Sequence, residues 1–325
     1  MLSSEVEVDK ADTGPIHTST SANDSQSNTP ATRNPFMMVN DDIPIYFDED
    51  WDTGIGGGLW STGLAIGKYI SQHSHHVRNN LLDMLHRKNN SSPATTTTID
   101  EEEQPPPNQR KRLSLLELGS GNGFLSVCFL AVAKDLLEHV AITDTMEHLP
   151  LIETTIQANR HILCDDVDNG VFVENDHGKK VVEISEHLWG EFSDDVVQQQ
   201  QPKEQRQEAQ KDVGDKGGDN GNIRTYPTLD HNIKFDIIVG SDVAYRDELH
   251  DPLIASLLHY SHSSSQGNSG NSTIIIIGVT MADTKPIFFH KLTQAGFMYE
   301  RLADHLLDIQ FRGSTTFGVF ICTRK

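Results

Sequence analysis

Cysteine is scarce in this 325-residue sequence: Cys128, Cys164 and Cys322 are all it has. They stand far apart and match neither a zinc-site spacing nor C-x-x-C, so neither a cysteine-held metal nor a disulfide framework is expected. Reduced core cysteines and a reducing compartment are the natural reading. Positive charge is also short. Twenty-six Lys and Arg face 47 Asp and Glu, a formal net charge of -21. Binding to a phosphate backbone rests on basic side chains, so a nucleic-acid partner is not expected and a cationic one suits the chain better. Long apolar runs are missing: the strand-like run Ile274–Ile277 is far short of the ~20 residues that cross a bilayer. The first residues, MLSSEVE, hold neither a basic nor an apolar region, so no secretory signal is expected, and they are too acidic for a transit peptide. A monomeric protein of the cytoplasm, or of the nucleus, follows as the expectation. The apolar fraction is only 36%, which leaves part of the chain outside any core.

Polar, low-complexity blocks account for that part. Residues 1–35 read as a disordered tail, and 36–325 as a single domain with surface insertions near 87–112, 194–225 and 262–272. Between the blocks, strand-like and helix-like signals alternate. Strands are expected at Leu113–Leu118, Val140–Thr143, Val181–Ser185, Phe235–Val239 and Thr273–Val279, with two more at Phe297–Glu300 and Thr316–Thr323. Helices are expected at Leu59–Ile70, Phe124–Leu137, Leu149–Ile162, about 247–260 and Thr284–Ala295. Such alternation predicts an α/β fold: a Rossmann-like, mostly parallel sheet of seven strands with helices on both faces. The last two strands have no helix-length crossover between them, which predicts an antiparallel C-terminal hairpin.

The chemistry starts at "LLELGSGNGFLSV", where Gly119, Gly121 and Gly123 join the first of these strands to its helix. Glycines there let backbone N–H groups approach a ligand. The pattern is G-x-G-x-G. Where a dinucleotide fingerprint needs a small sixth residue, this chain has Phe124. Glu117, at the strand's end, would repel a pyrophosphate and favour a ligand with a positive group. Asp144 ends the next strand, where a carboxylate can accept ribose hydroxyls; its plainer reading is a helix cap. A ligand with a ribose, a cationic end and no pyrophosphate fits S-adenosylmethionine (SAM).

Four stretches then resemble a known family, the class I seven-β-strand SAM-dependent methyltransferases of the protein-lysine type. They are "GGGLWSTGLAIGKYI", "LLELGSGNG", "HLWGEF" and "SDVAY", in the family's order, with "TIQANRH" between them. The resemblance spans about residues 40–325 without the insertions. It implies that Trp60 flanks the methionine end of SAM, that Gly119, Ser120 and Gly121 give backbone contacts, and that Asp144 holds the ribose. It implies that Trp189 packs beside the adenine and that Ser241 lines the pocket. Read without it, Trp60 is a core residue of an amphipathic helix and Trp189 a hydrophobic plug. Trp51 stays open between a rim residue and an anchor.

Methyl transfer is an in-line displacement that needs an acceptor about 3–3.5 Å from the methyl carbon and no water between. A lysine, with a reference pKa of about 10.4, must first lose a proton. Asp242 and Tyr245 suit that need as catalytic residues: the acid orients the amine or helps its proton leave, and the phenol walls the channel. The acid's own pKa is expected to be low. Alone, the pair reads as a cap and a packed ring. Val243 and Ala244 stand where the amino-methyltransferases of DNA and glutamine have prolines. His73, His75 and His76 have no acid or cysteine cluster beside them and read as a solvated helix end, so no metal is expected. The expected function is transfer of a methyl group to a protein amine, lysine first. Arginine, histidine or a small amine are alternative acceptors, and a SAM-binding module without catalysis is a second alternative. A dehydrogenase is disfavoured by Phe124, Glu117 and the final hairpin.

Overall fold

A computed structural model describes residues 34–90, 111–163, 181–192, 225–262 and 272–324. The tail expected at 1–35, most of each expected insertion, and Cys164 lie outside these residues. The chain first forms a hairpin, β1 (Met37–Val39) and β2 (Ile43–Ile45), turned by Asn40 and Asp41 at positive φ. Two 3-10 turns, Trp51–Thr53 and Ile55–Gly57, lead into helices α1 (Ser61–Gln72) and α2 (Ser74–Asn90). Strands and helices then alternate: β3 (Leu113–Leu118), α3 (Phe124–Ala133), β4 (Leu137–Asp144), α4 (Leu149–Ala158), the short α5 (Arg160–Leu163) and β5 (Val182–Glu186). After them come β6 (Ile237–Ser241), α6 (His250–Tyr260), β7 (Ile274–Thr280), α7 (Pro286–Gln294), β8 (Phe297–Arg301) and β9 (Phe317–Arg324).

Seven strands form one sheet in the order β5-β4-β3-β6-β7-β9-β8. Every neighbouring pair from β5 to β7 is parallel, while β9 runs antiparallel to both β7 and β8. This is the predicted sheet with its predicted C-terminal hairpin. Helical crossovers return each parallel strand to the same end, and 15 residues, 302–316, suffice to reverse β9 against β8. Strand β3 is an interior strand, third in the sheet, and is buried at every position, because helices cover both faces. Alternate β3 residues feed opposite cores. Leu113 and Leu115 pack with α1, α2 and α3, and Leu116 and Leu118 pack with α6 and α7. The strand order reverses at β3, with β4 on one side and β6 on the other, so a crevice opens at the C-terminal ends of β3 and β6.

Helix α2 differs from expectation. Residues 87–90 belong to it rather than to an insertion, and His75 and His76 lie in its exposed first turn. Val77, Leu81 and Met84 recur at helical spacing and are buried against the α3 side of the core. Lys88 then donates to the Arg112 carbonyl at 2.7 Å and to Asp236 Oδ2 at 2.9 Å, tying the helix end to the sheet. Phe124 explains how the N-terminal segment is anchored. Its ring is buried edge-on to Phe36 and Phe47, at 5.7 and 5.4 Å, and a Cβ on Gly67 of α1 would come within 2.4 Å of it. Burying such a ring contributes about 2–3 kcal/mol. The residue that departs from the dinucleotide fingerprint is thus the one that docks the preceding segment.

Candidate active site

The crevice holds a cavity of about 430 Å³. All of the residues selected from sequence line it: Trp60, Glu117, Gly119, Ser120, Gly121, Asp144, Trp189, Ser241, Asp242 and Tyr245. They arrive from four strand ends and one helix start. The glycine turn follows β3, Asp144 ends β4, Trp189 follows β5, and Ser241 ends β6. Trp60 arrives from the opposite side as the N-terminal cap of α1.

Two glycines of the turn also make close approaches. Gly119 and Gly121 both have φ of +59°. A Cβ on Gly119 would lie 2.7 Å from the Trp189 ring, and one on Gly121 would lie 2.3 Å from the Gly56 carbonyl oxygen. The first contact sets the indole over the turn. The second brings a strap, residues 47–58, down on it. The strap is pinned at both ends. Asn159 accepts from Tyr46 N at 2.9 Å and donates Nδ2 to the Tyr46 carbonyl, and Glu49 accepts from Leu59 N at 2.9 Å. Trp51, left open by the sequence, packs edge-on to Trp60 at 6.3 Å and so serves as an anchor within the strap.

Glu117 is buried, and its Oε2 accepts from Ser126 N at 2.8 Å in the first turn of α3. Burial pushes its carboxyl up to about 7, against the pull of that hydrogen bond. Asp144 is closely held as well. Its Oδ2 accepts from Gly121 N at 2.7 Å, and its Oδ1 accepts from Thr145 N at 2.7 Å and His148 Nδ1 at 2.8 Å. Ser120 Oγ and Asn122 Nδ2, from the same cavity-lining turn, are buried without a hydrogen-bond partner among the described residues. A polar ligand in the cavity would relieve that cost.

Asp242 departs most from expectation. Its backbone is left-handed, with φ of +53°, which costs a non-glycine residue about 1–2 kcal/mol. Its Oδ2 accepts from Thr62 Oγ1 at 2.6 Å and Thr62 N at 3.3 Å, and its Oδ1 accepts from Thr280 Oγ1 at 2.6 Å. Burial raises its pKa above the ordinary carboxylate value, while the threonine bonds hold it down and Asp283 adds to the rise. The low pKa expected from the free residue is therefore corrected: enclosure outweighs the two hydroxyls. Tyr245 is half-buried, and the Arg246 guanidinium lies 5.3 Å from its ring centre. Thr62, Thr280, His148 and the strap were missed in the sequence. A clue was available, since His148 stands four residues after Asp144 at a helix start.

A sequence model of a family described as lysine methyltransferase matches residues 39–200. That span holds the strap, the glycine turn, Asp144 and Trp189, and it ends before Asp242. By this match the chain is a SAM-dependent methyltransferase, and its sheet has the class I arrangement. No curated protein matches it. Similar solved structures include precorrin-6y C5,15-methyltransferase from Geobacter metallireducens, at 11% identity over 66% of this chain and 82% of that one, TM-score 0.35. A TehB-like SAM-dependent methyltransferase from Corynebacterium glutamicum has 11% identity over 78% and 99%, TM-score 0.35. An O-methyltransferase family protein from Burkholderia thailandensis has 13% over 66% and 51%, TM-score 0.37. The cofactor of this methyltransferase is SAM. The cavity fits it in size, in its carboxylate at the β4 end, and in the unmet donors of the glycine turn. No described helix is long and apolar enough to cross a membrane.

Proposed function

We propose that this methyltransferase acts on a protein amine, and that the amine is a lysine side chain. The observation that carries the reading is that Asp242 and Tyr245 open into the same cavity as the glycine turn and Asp144. In this assignment Asp144 Oδ2 accepts a ribose hydroxyl, since Oδ1 is already taken by Thr145 and His148. Trp189, set over Gly119, flanks the adenine, Trp60 flanks the methionine end, and Ser241 lines the wall between them. Glu117 lines the cavity beside the turn and also caps α3 through Ser126 N.

SAM supplies an electrophilic methyl group. Asp242 and the phenol ring of Tyr245 receive the amine at the β6 end of the cavity. The neutral amine donates its lone pair to the methyl carbon as the carbon–sulfur bond breaks, and that bonding pair stays on sulfur. Positive charge thereby moves onto nitrogen. Asp242, fixed by Thr62 and Thr280, keeps negative charge beside it, and the aromatic face of Tyr245 adds to that stabilisation. Before transfer, a carboxyl with a raised pKa is better matched than a free one to relaying the ammonium proton to solvent, which leaves Asp242 ionised for the step itself.

The test uses the full chain, labelled SAM and a lysate of its own cells. A labelled protein band is expected, with the label recovered as methyl-lysine after hydrolysis. Asp242→Asn, which tolerates the left-handed backbone, should lower labelling by about a hundredfold or more with SAM affinity within about threefold. Methyl-arginine, methyl-histidine or a labelled small molecule would replace lysine as acceptor. Tight SAM binding with no labelled product would turn the reading to a binding module.

A further inference from the structure

The mechanism above makes no use of His148, yet its ring occupies a demanding position. It is buried at the start of α4, between the carboxylate of Asp144 and the strap. Nδ1 is 2.8 Å from Asp144 Oδ1, and Nε2 is 3.0 Å from the Thr53 carbonyl oxygen. Both oxygens can only accept. A neutral imidazole has one N–H and one lone pair, so it can satisfy one of these contacts and must oppose the other. The imidazolium satisfies both. Gly56 closes the third side: a Cβ there would lie 2.4 Å from the ring's Cε1.

We propose that His148 is a positioning residue for the cofactor, whose protonated ring clamps the strap to the ribose-binding carboxylate and so gives SAM affinity a dependence on pH. The reasoning is linkage. The strap supplies one wall of the cavity through Thr53, Gly56, Gly58 and Leu59. When the ring loses its proton, the contact with Thr53 is lost, the wall loosens, and part of the binding free energy goes into re-forming it. The surrounding charges favour the clamped form. Asp144 and, at longer range, Glu147 of the adjoining turn raise the pKa of the ring, with the Asp144 hydrogen bond first among the causes. The strap's own Asp50 is engaged locally, accepting from Asp52 N at 3.1 Å, and it presents the Thr53 carbonyl to the ring. The glycine turn meets the same carboxylate through Gly121 N. The sign follows: the clamp is complete below the ordinary histidine value and is lost as pH rises through the raised one.

The inference rests on the assignment of Asp144 to the ribose, and the experiment separates the two. SAM affinity of the full chain is measured by calorimetry from about pH 6 to about pH 9 for the parent, His148→Asn and Gly56→Ala. Asn removes the titrating ring and is too short to bridge the two oxygens. Ala at 56 keeps the imidazole in the chain but pushes the ring off its two acceptors. The titrating ammonium of SAM affects all three proteins alike. The parent's Kd is expected to rise over this range by about fivefold more than that of either variant. Equal rises in all three would overturn the clamp while leaving the cofactor assignment intact. A parent that binds no SAM at any pH would overturn that assignment and the clamp with it. Melting curves at about pH 6 establish that each variant is folded, and Gly56→Ala decides the matter if His148→Asn is not.

Discussion

At Asp242, burial pushes a carboxyl up while Thr62 and Thr280 hold it down. Thr280→Val removes one of the restraining donors, so the acid should move further up. If its ionised form drives turnover, the acid limb of kcat should shift to higher pH by about one unit, with little change at about pH 9. A pH–rate profile of the two proteins checks this. Glu117 gives a second expectation of known sign. Its folded value near 7 exceeds its unfolded one, so the fold binds the proton more tightly than the unfolded chain does. Stability from this group is therefore greatest at low pH and falls as pH rises towards about 7. Glu117→Gln has no such loss. It should exceed the parent by on the order of 3 kcal/mol at about pH 8.5, with the gap closing towards about pH 4, as thermal or denaturant unfolding would record. At this scale the sequence named the wall of the site well, because glycines, an acid and aromatics at strand ends carry local signals. It could not show what each oxygen accepts. The bonds of Asp242 to Thr62 and Thr280 span 180 and 38 residues, and no local pattern encodes such a meeting.

Among the elements, strand β3 lies where the sequence put it, residue for residue, because a fully buried interior strand reads as a mostly apolar run that stops at glycine. Strand β6 begins two residues later than expected, at Ile237. Phe235 leaves the ladder for an isolated bridge with Ser261, while Ser241 extends the strand at its other end. Helix α2 was obscured by its own polarity: "SHHVRNN" and "HRKNN" flank a narrow apolar stripe. That stripe is structural and stands away from the cavity. Leu81→Ala should cost about 2–4 kcal/mol of stability through the void it leaves, with the SAM Kd of the folded protein unchanged. Chemical denaturation and calorimetry on one preparation would test both halves.

Across the whole molecule, the polar blocks fall between secondary structures that keep their own bonds. His262 N donates to Thr273 Oγ1 at 2.8 Å, so the chain is already drawn together on either side of residues 263–271. Replacing those nine residues with a short glycine-serine link should leave SAM affinity within about twofold and alter stability by less than about 1 kcal/mol. Titration with SAM and a melting curve would show it. The strap presents the opposite case, because at its N-terminal end a single side chain acts as backbone. Asn159 offers Tyr46 both an acceptor and a donor. Exchanging its NH₂ for oxygen, as in Asn159→Asp, would set a carboxylate against a carbonyl while leaving the shape of the side chain nearly unchanged. The cofactor cavity thus depends on one nitrogen outside its own walls, whose loss would loosen one end of the segment that closes it.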